Sequence, residues 1–126
     1  MTVFTEGAYL SDGLLWELGD EVRYARDQVT VISGQNLAMF TVVGKITASG
    51  KMTILAPAAS DGSQTPAGIM IQDCDASAAD AAGLMLARAS IFKDAAVIWP
   101  AGITAPQKTA AIATLKTLGI LIRDGA

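Results

Sequence analysis

Residues 39–56, MFTVVGKITASGKMTILA, decide the fold class. Phe40, Thr41, Val42, Val43, Ile46 and Thr47 are aromatic or β-branched, the residue types that fit a pleated, half-buried surface. Ala48-Ser49-Gly50 breaks the run with turn chemistry, and Lys51 to Ala56 reads as a return strand. The segment is expected to form a β-hairpin. Strands are expected on both sides of it. QVTVIS (28–33) alternates weakly between apolar and polar residues. In DGSQTPAGIMIQDCDA (61–76), Asp61-Gly62 is a turn dipeptide and Pro66, which has no N–H for a ladder, suits the start of a strand. Ala67 to Gln72 is then an apolar run of strand length.

Further along, GLMLARASIF (83–92) reads as one strand, separated from the previous one by the Asp/Ser/Ala-rich stretch 73–82, a loop or a single helical turn. AVIWP (96–100) reads as a short strand stopped by Pro100, and ILIR (120–123) as a closing strand. One helix is strongly signalled. Thr104 is a good N-cap, Gln107 three residues later completes a capping box, and Pro106 lies in the first turn, where its missing N–H is harmless. Ala111, Ile112, Leu115 and Leu118 form an apolar stripe, and Gly119 sits where a left-handed residue ends a helix. The expected fold is mainly β with one short α-helix.

At 126 residues the chain is long enough for one domain with a real core. It is 52% apolar, which places it among globular chains. The net charge of −3 argues against a nucleic-acid binder, which would carry a basic face. The start, MTVFTEGAYL, lacks the basic head and apolar run of a secretory signal, and no stretch has the ~18 apolar residues of a membrane span. Charge is unevenly distributed. Residues 1–27 hold six acids and two bases, a net of −4, whereas residues 28–126 hold six acids and seven bases. Phe4, Tyr9, Trp16 and Tyr24, four of the seven aromatics, also lie in that acidic segment, which has no steady period and is punctuated by Gly7, Gly13 and Gly19. Two readings fit together: a loosely packed chain end, and an arm that orders against a partner and inserts its aromatics there.

Little in the sequence points to chemistry. With no His, neither a Ser-His-Asp nor a Cys-His constellation can be assembled. One Cys cannot build a thiolate metal site, and no Asp/Asn series supplies the six to eight oxygens that calcium needs. Asp73-Cys74-Asp75 brackets a thiol with two carboxylates, but along a strand Cys74 points to the face opposite both, so the triplet reads as a strand end. The glycines at 44, 50, 62, 68 and 83 match neither a P-loop nor a dinucleotide fingerprint. No cofactor and no metal are expected. Lys51 beside its hairpin turn is faintly like the lysine of a carrier hairpin, without the acidic flanks such a site carries. A small β-rich ligand or carrier module without catalytic activity is therefore the alternative reading. A β-clip nucleotide hydrolase would need clustered acids and a phosphate loop, for which SDGSQT (60–65) is the only faint candidate.

The order of several elements carries a resemblance. SDGSQTPAGIMIQDCDASAADAAGLMLARASIFKDAAVIWPAG (60–102), the capped helix and LGILIR (118–123) are similar to the head decoration proteins of lambda-like bacteriophages, the D-type capsid-stabilising family. YARDQVTVISGQNLAMFTVVGKITASGKM (24–52) resembles the same family, so the likeness covers about residues 22–123. One departure is Met39-Phe40, where that family pattern leads one to expect glycine or another small residue.

The resemblance implies a bent β-ribbon of β-clip type in residues 26–126, preceded by an extended N-terminal arm in residues 1–25. It implies a structural protein and not an enzyme. Homotrimers would bind the outer surface of the expanded phage head at three-fold and quasi-three-fold positions. There they would grip the major capsid protein and stabilise the shell against packaged DNA. Partners would be that protein and further copies of the chain, with no nucleic acid and no membrane. The expected arm contacts are Val3, Phe4, Tyr9, Leu14, Leu15 and Trp16; the expected structural residues are Trp99, Pro100, Ile112, Leu115 and Leu118.

Overall fold

The computed structural model describes residues 13–17 and 25–123. Within them, in chain order, lie β1 (Leu14–Glu17), β2 (Arg26–Val31), β3 (Gln35–Leu37), β4 (Val42–Lys45), β5 (Met52–Ile54) and β6 (Pro66–Met70). These are followed by β7 (Cys74–Ala76), β8 (Ala81–Leu86), β9 (Ser90–Lys93), a 3-10 turn (Asp94–Ala96), α1 (Ala105–Thr117) and β10 (Ile120–Arg123). The expected mainly β domain with one helix is present. Its sheets are a closed barrel in the order β2-β5-β4-β6-β8, a three-stranded sheet β1-β9-β10, and the pair β3-β7.

The hairpin over 39–56 forms as the side-chain pattern requires. Val43 lies opposite Ile54, and Lys45 opposite Met52. The tip closes through Gly50 N–H donating to Ile46 O at 2.7 Å and Ile46 N–H donating to Lys51 O at 2.9 Å. The helix also matches its local signals. The Thr104 hydroxyl accepts from Gln107 N–H at 3.2 Å, and Gln107 Oε1 accepts from Thr104 N–H at 2.9 Å. Beyond the C-cap Leu118, Gly119 takes φ +88°, a region open to glycine at little steric cost.

Three local expectations are corrected. The stretch 73–82 is not only a loop: Cys74–Ala76 is strand β7, paired with Gln35–Leu37. Its Cys74 and Ala76 are buried and Asp75 is exposed, the alternation a strand imposes. The run 83–92 is two strands, because Ala89 takes φ +51° and turns the chain from the barrel into the outer sheet. AVIWP is not a strand. Ala96 ends the 3-10 turn, and Ile98 makes only an isolated bridge to Thr41.

Two apolar clusters hold the parts together. One, within the barrel, contains Val31, Leu37, Val43, Met52, Met70, Cys74 and Met85. The larger lies between barrel, outer sheet and helix, and contains Phe40, Leu55, Ile69, Leu86, Phe92, Leu115 and Ile120. Helix α1 contributes Ala111 and Leu115 to it, with Ile112 half-buried. Leu118, at the helix end, is 37% exposed instead.

Phe40 is the pivot of the larger cluster. Its φ is +77°, the conformation that explains why a small residue or glycine is expected there. For a bulky residue such a backbone costs about 1–3 kcal/mol. Burial of the ring offsets this with about 1.5–3 kcal/mol, and an aromatic pair adds about 0.5–1.5 kcal/mol. The ring is 3% exposed and meets Phe92 edge-on, centroids 6.3 Å apart at 80°. The backbone is pinned as well: Phe40 N–H donates to Met70 O at 2.7 Å, and Phe40 O accepts from Ile98 N–H at 2.9 Å.

The first described residues join this same structure. β1 runs antiparallel to β9, with Leu14 opposite Phe92 and Glu17 opposite Ser90, and a bulge between Leu14 and Trp16. Gly13 O accepts from Lys93 N–H at 2.7 Å. A Cβ on Gly13 would lie 2.7 Å from Ala96 Cβ and 2.9 Å from Phe40 Cζ, so only glycine lets the chain pass this close.

Two outcomes are expected in thermal denaturation. Gly13→Ala should lower Tm by unseating β1 from β9; an unchanged Tm would show that the strand is not integral to the domain. Phe40→Gly should relieve the backbone yet destabilise by about 2–4 kcal/mol through loss of the ring, since aromatic truncation in a core costs about 3–5 kcal/mol and the relief is smaller; a gain in stability would contradict this.

Candidate functional site

The titratable groups first separate chemistry from architecture. Burial pushes the Cys74 thiol up, and Asp75 adds to the effect, so the thiol stays protonated. Its Sγ lies 3.4 Å from Ala82 O inside the barrel cluster. Asp61 and Asp75 are held below the usual carboxylate range by the hydroxyls and amides of Ser63 and Ser77 respectively, two residues on. These are turn-closing contacts. Asp80 is lowered first by Lys51 and then by Ser33 N–H, which it accepts at 2.8 Å, tying the hairpin tip to the loop before β8. Asp73 Oδ1 accepts from Met39 N–H at 2.8 Å and so braces the Phe40 corner. Each of these carboxylates has a local structural duty, and among the described residues no three His, Cys, Asp or Glu side chains converge as a metal site.

What the fold offers instead is open surface at the β1 side of the outer sheet. Val3, Phe4 and Tyr9 lie outside the described residues. Leu14 is half-buried against the larger cluster of its own domain. Leu15, the extra residue of the bulge, points outward and is 40% exposed. The backbone of Trp16 pairs with Ile91. The order β1-β9-β10 leaves the other side of β1 without a described strand, a row of backbone groups of the kind to which another chain can add.

Trp99 and Pro100 are half-buried on the far side of the Phe40 corner. Trp99 packs against the larger cluster, and the Lys108 ammonium of α1 stands 5.5 Å from its ring centroid. The same ammonium is 3.4 Å from Asp94 of the 3-10 turn. One lysine thus links helix, turn and indole, which makes this corner a clasp on the helix. Beside it Ile98 is 41% exposed.

One concavity is not revealed by the sequence. An open groove of about 1050 Å³ lies where the barrel strands part. Val29, Met52, Ala67, Met85 and Ala87 form its apolar part, and Arg26, Asp27, Lys45 and Arg88 stand around them. Arg88 makes a bidentate pair with Asp27, at 3.1 and 2.8 Å.

No curated protein matches the chain. A family model described as bacteriophage lambda head decoration protein D matches residues 3–120, nearly the whole length. The match spans the segment before β1, all the barrel strands, the clasp and the helix, and stops at the first residue of β10. The chain therefore belongs to the bacteriophage lambda head decoration protein D family, the structural proteins that decorate phage heads.

Proposed function

We propose that this protein is a cementing protein of the phage head, acting without catalysis. It assembles as a homotrimer and binds the outer surface of the expanded capsid at three-fold and quasi-three-fold positions. There it bridges neighbouring major capsid protein subunits against the pressure of packaged DNA. The observation that carries the reading is the family match over residues 3–120.

The physical mechanism follows from the parts. A domain held by two packed apolar clusters is a rigid plug. The N-terminal arm, residues 1–25, attaches the plug to the lattice, with Val3, Phe4, Tyr9, Leu15 and Trp16 as its anchors, while Leu14 serves the domain's own core. An added strand supplies backbone hydrogen bonds, and aromatic side chains supply the buried contact area. Three arms on one trimer raise the avidity through effective concentration. Binding to the expanded lattice alone stabilises that state by mass action. The carrier alternative loses support at Lys51, whose ammonium is engaged by Asp80.

Light scattering at micromolar concentration should give three times the chain mass; a monomer mass would refute the trimer. Removing residues 1–12 should leave Tm nearly unchanged yet abolish sedimentation with undecorated expanded heads. Within that segment, Phe4→Ala and Tyr9→Ala should each weaken decoration by roughly 2 kcal/mol if they are interface anchors. Undiminished binding by the truncated protein would show that attachment lies elsewhere.

A further inference from the structure

We propose that the outer sheet β1-β9-β10 is the surface through which copies of the chain meet. The β1 edge of one copy pairs antiparallel with the β10 edge of the next, and three such sheets close around the three-fold axis. The inference rests on the trimer reading above and adds to it the surface and direction of the contact.

The two edges supply the first argument. β9 lies between β1 and β10, and among the described residues no strand pairs with the far side of either. Apart from the ladder to β9, the backbone of Ile120 to Arg123 makes no hydrogen bond within the described residues. Alternate residues of a strand direct their N–H and C=O groups to opposite sides, so β10 carries donors and acceptors that its own chain does not meet. β1 runs antiparallel to β9 and β10 parallel to it, so β1 and β10 run in opposite directions. Copies related by rotation about an axis along the strands therefore bring β1 of one against β10 of the next as an antiparallel pair. The two strands match in length, four residues each. Pairing β1 with β1 would be isologous and would stop at two copies. Contact between two different edges is heterologous, the kind that can close a ring of three.

The face of the sheet supplies the second argument. Ser90, Phe92 and Ile120 are buried, and Ile122 packs on the larger cluster. Ile91 and Leu121 alternate with them and so stand on the opposite face. They are register partners, and neither belongs to either apolar cluster. An antiparallel sheet with one face in water carries polar residues on that face. Here the domain lies on one side, so only the face with Ile91 and Leu121 can turn toward an axis. Closure of three sheets makes that face the interior of a barrel, where these side chains meet those of the other copies.

The charges fit the same arrangement. Lys93 and Arg123, also register partners, lie at one end of this face. That end is a mouth open to solvent, so the cations remain hydrated. The N-terminal segment joins the sheet there, since Gly13 O accepts from Lys93 N–H. Residues 1–12 hold Glu6 and Asp12 and no base, a charge that offsets the cations gathered at the mouth. With the β1 edge committed to another copy, residues 1–12 remain for the capsid protein.

Two substitutions and one exchange measurement test this on the full chain. Leu121→Glu and Ile91→Glu put charge on the proposed inner face and leave both apolar clusters untouched. Each should keep cooperative thermal unfolding and weaken trimer association at least tenfold, so that light scattering gives the mass of one chain where the parent gives three. In the parent, the amides of β10 that are not bonded to β9 should be protected in the trimer and exchange faster once dilution separates the copies. If both substituted proteins fail to fold, the exchange data decide. A trimer of parent-like stability from Leu121→Glu overturns the proposal, as do outward β10 amides that exchange freely in the parent trimer. A parent mass that grows beyond three copies with concentration also overturns it, because the ring then does not close. A parent that stays monomeric refutes the trimer reading itself, and this inference with it.

Discussion

The structure turns on the contact between Phe40 and Phe92. Phe40 precedes the barrel hairpin and Phe92 lies in the central strand of the outer sheet, so their edge-on meeting fixes the two sheets to each other. Around it gather Leu55, Ile69 and Leu86 from the barrel side, Leu115 from the helix and Ile120 from β10. The ring reaches this position only because the backbone at residue 40 adopts a left-handed turn. A strained residue held by two backbone hydrogen bonds and a buried ring is a stable compromise, since the burial outweighs the strain.

The same corner organises the margins of the domain. Gly13 passes against Phe40 and Ala96, which sets where the N-terminal segment meets the domain. β1 then covers β9 and leaves its own outer side as the sheet's boundary. Immediately beyond Phe40, Ile98 and Trp99 are followed by the turn into α1, and Lys108 secures that helix by facing both Trp99 and Asp94. The described Asp side chains are occupied with turns, braces and ion pairs. These carboxylates serve rigidity, and the margins of the domain are left as a strand edge and a groove.

A lattice-binding protein benefits from that division. Rigid plugs transmit load between subunits, while affinity comes from strands and aromatic side chains that add to existing sheets. The β1 margin is a row of strand backbone with no described neighbour on its outer side.

The sequence by itself determined the elements whose causes are local. The hairpin follows from β-branched runs flanking Ala48-Ser49-Gly50, and the helix from Thr104, Pro106, Gln107 and Gly119. The family was legible too, because the order of elements survives in the linear pattern. Tertiary structure alone decided the rest. Ala87 to Ala89 carries no turn signal, yet the chain bends there because β8 belongs to the barrel and β9 to another sheet. Cys74 to Ala76 is a strand only because Gln35 to Leu37 lies beside it. Leu118 continues an apolar stripe in sequence, but it is the C-cap residue beyond the last turn and stays exposed, while Ala111 and Leu115 of that stripe are buried. The groove could not be read at all, since it is made by where β2 and β5 part. Strand pairing is a contact between distant residues, and no local pattern records where such a contact stops.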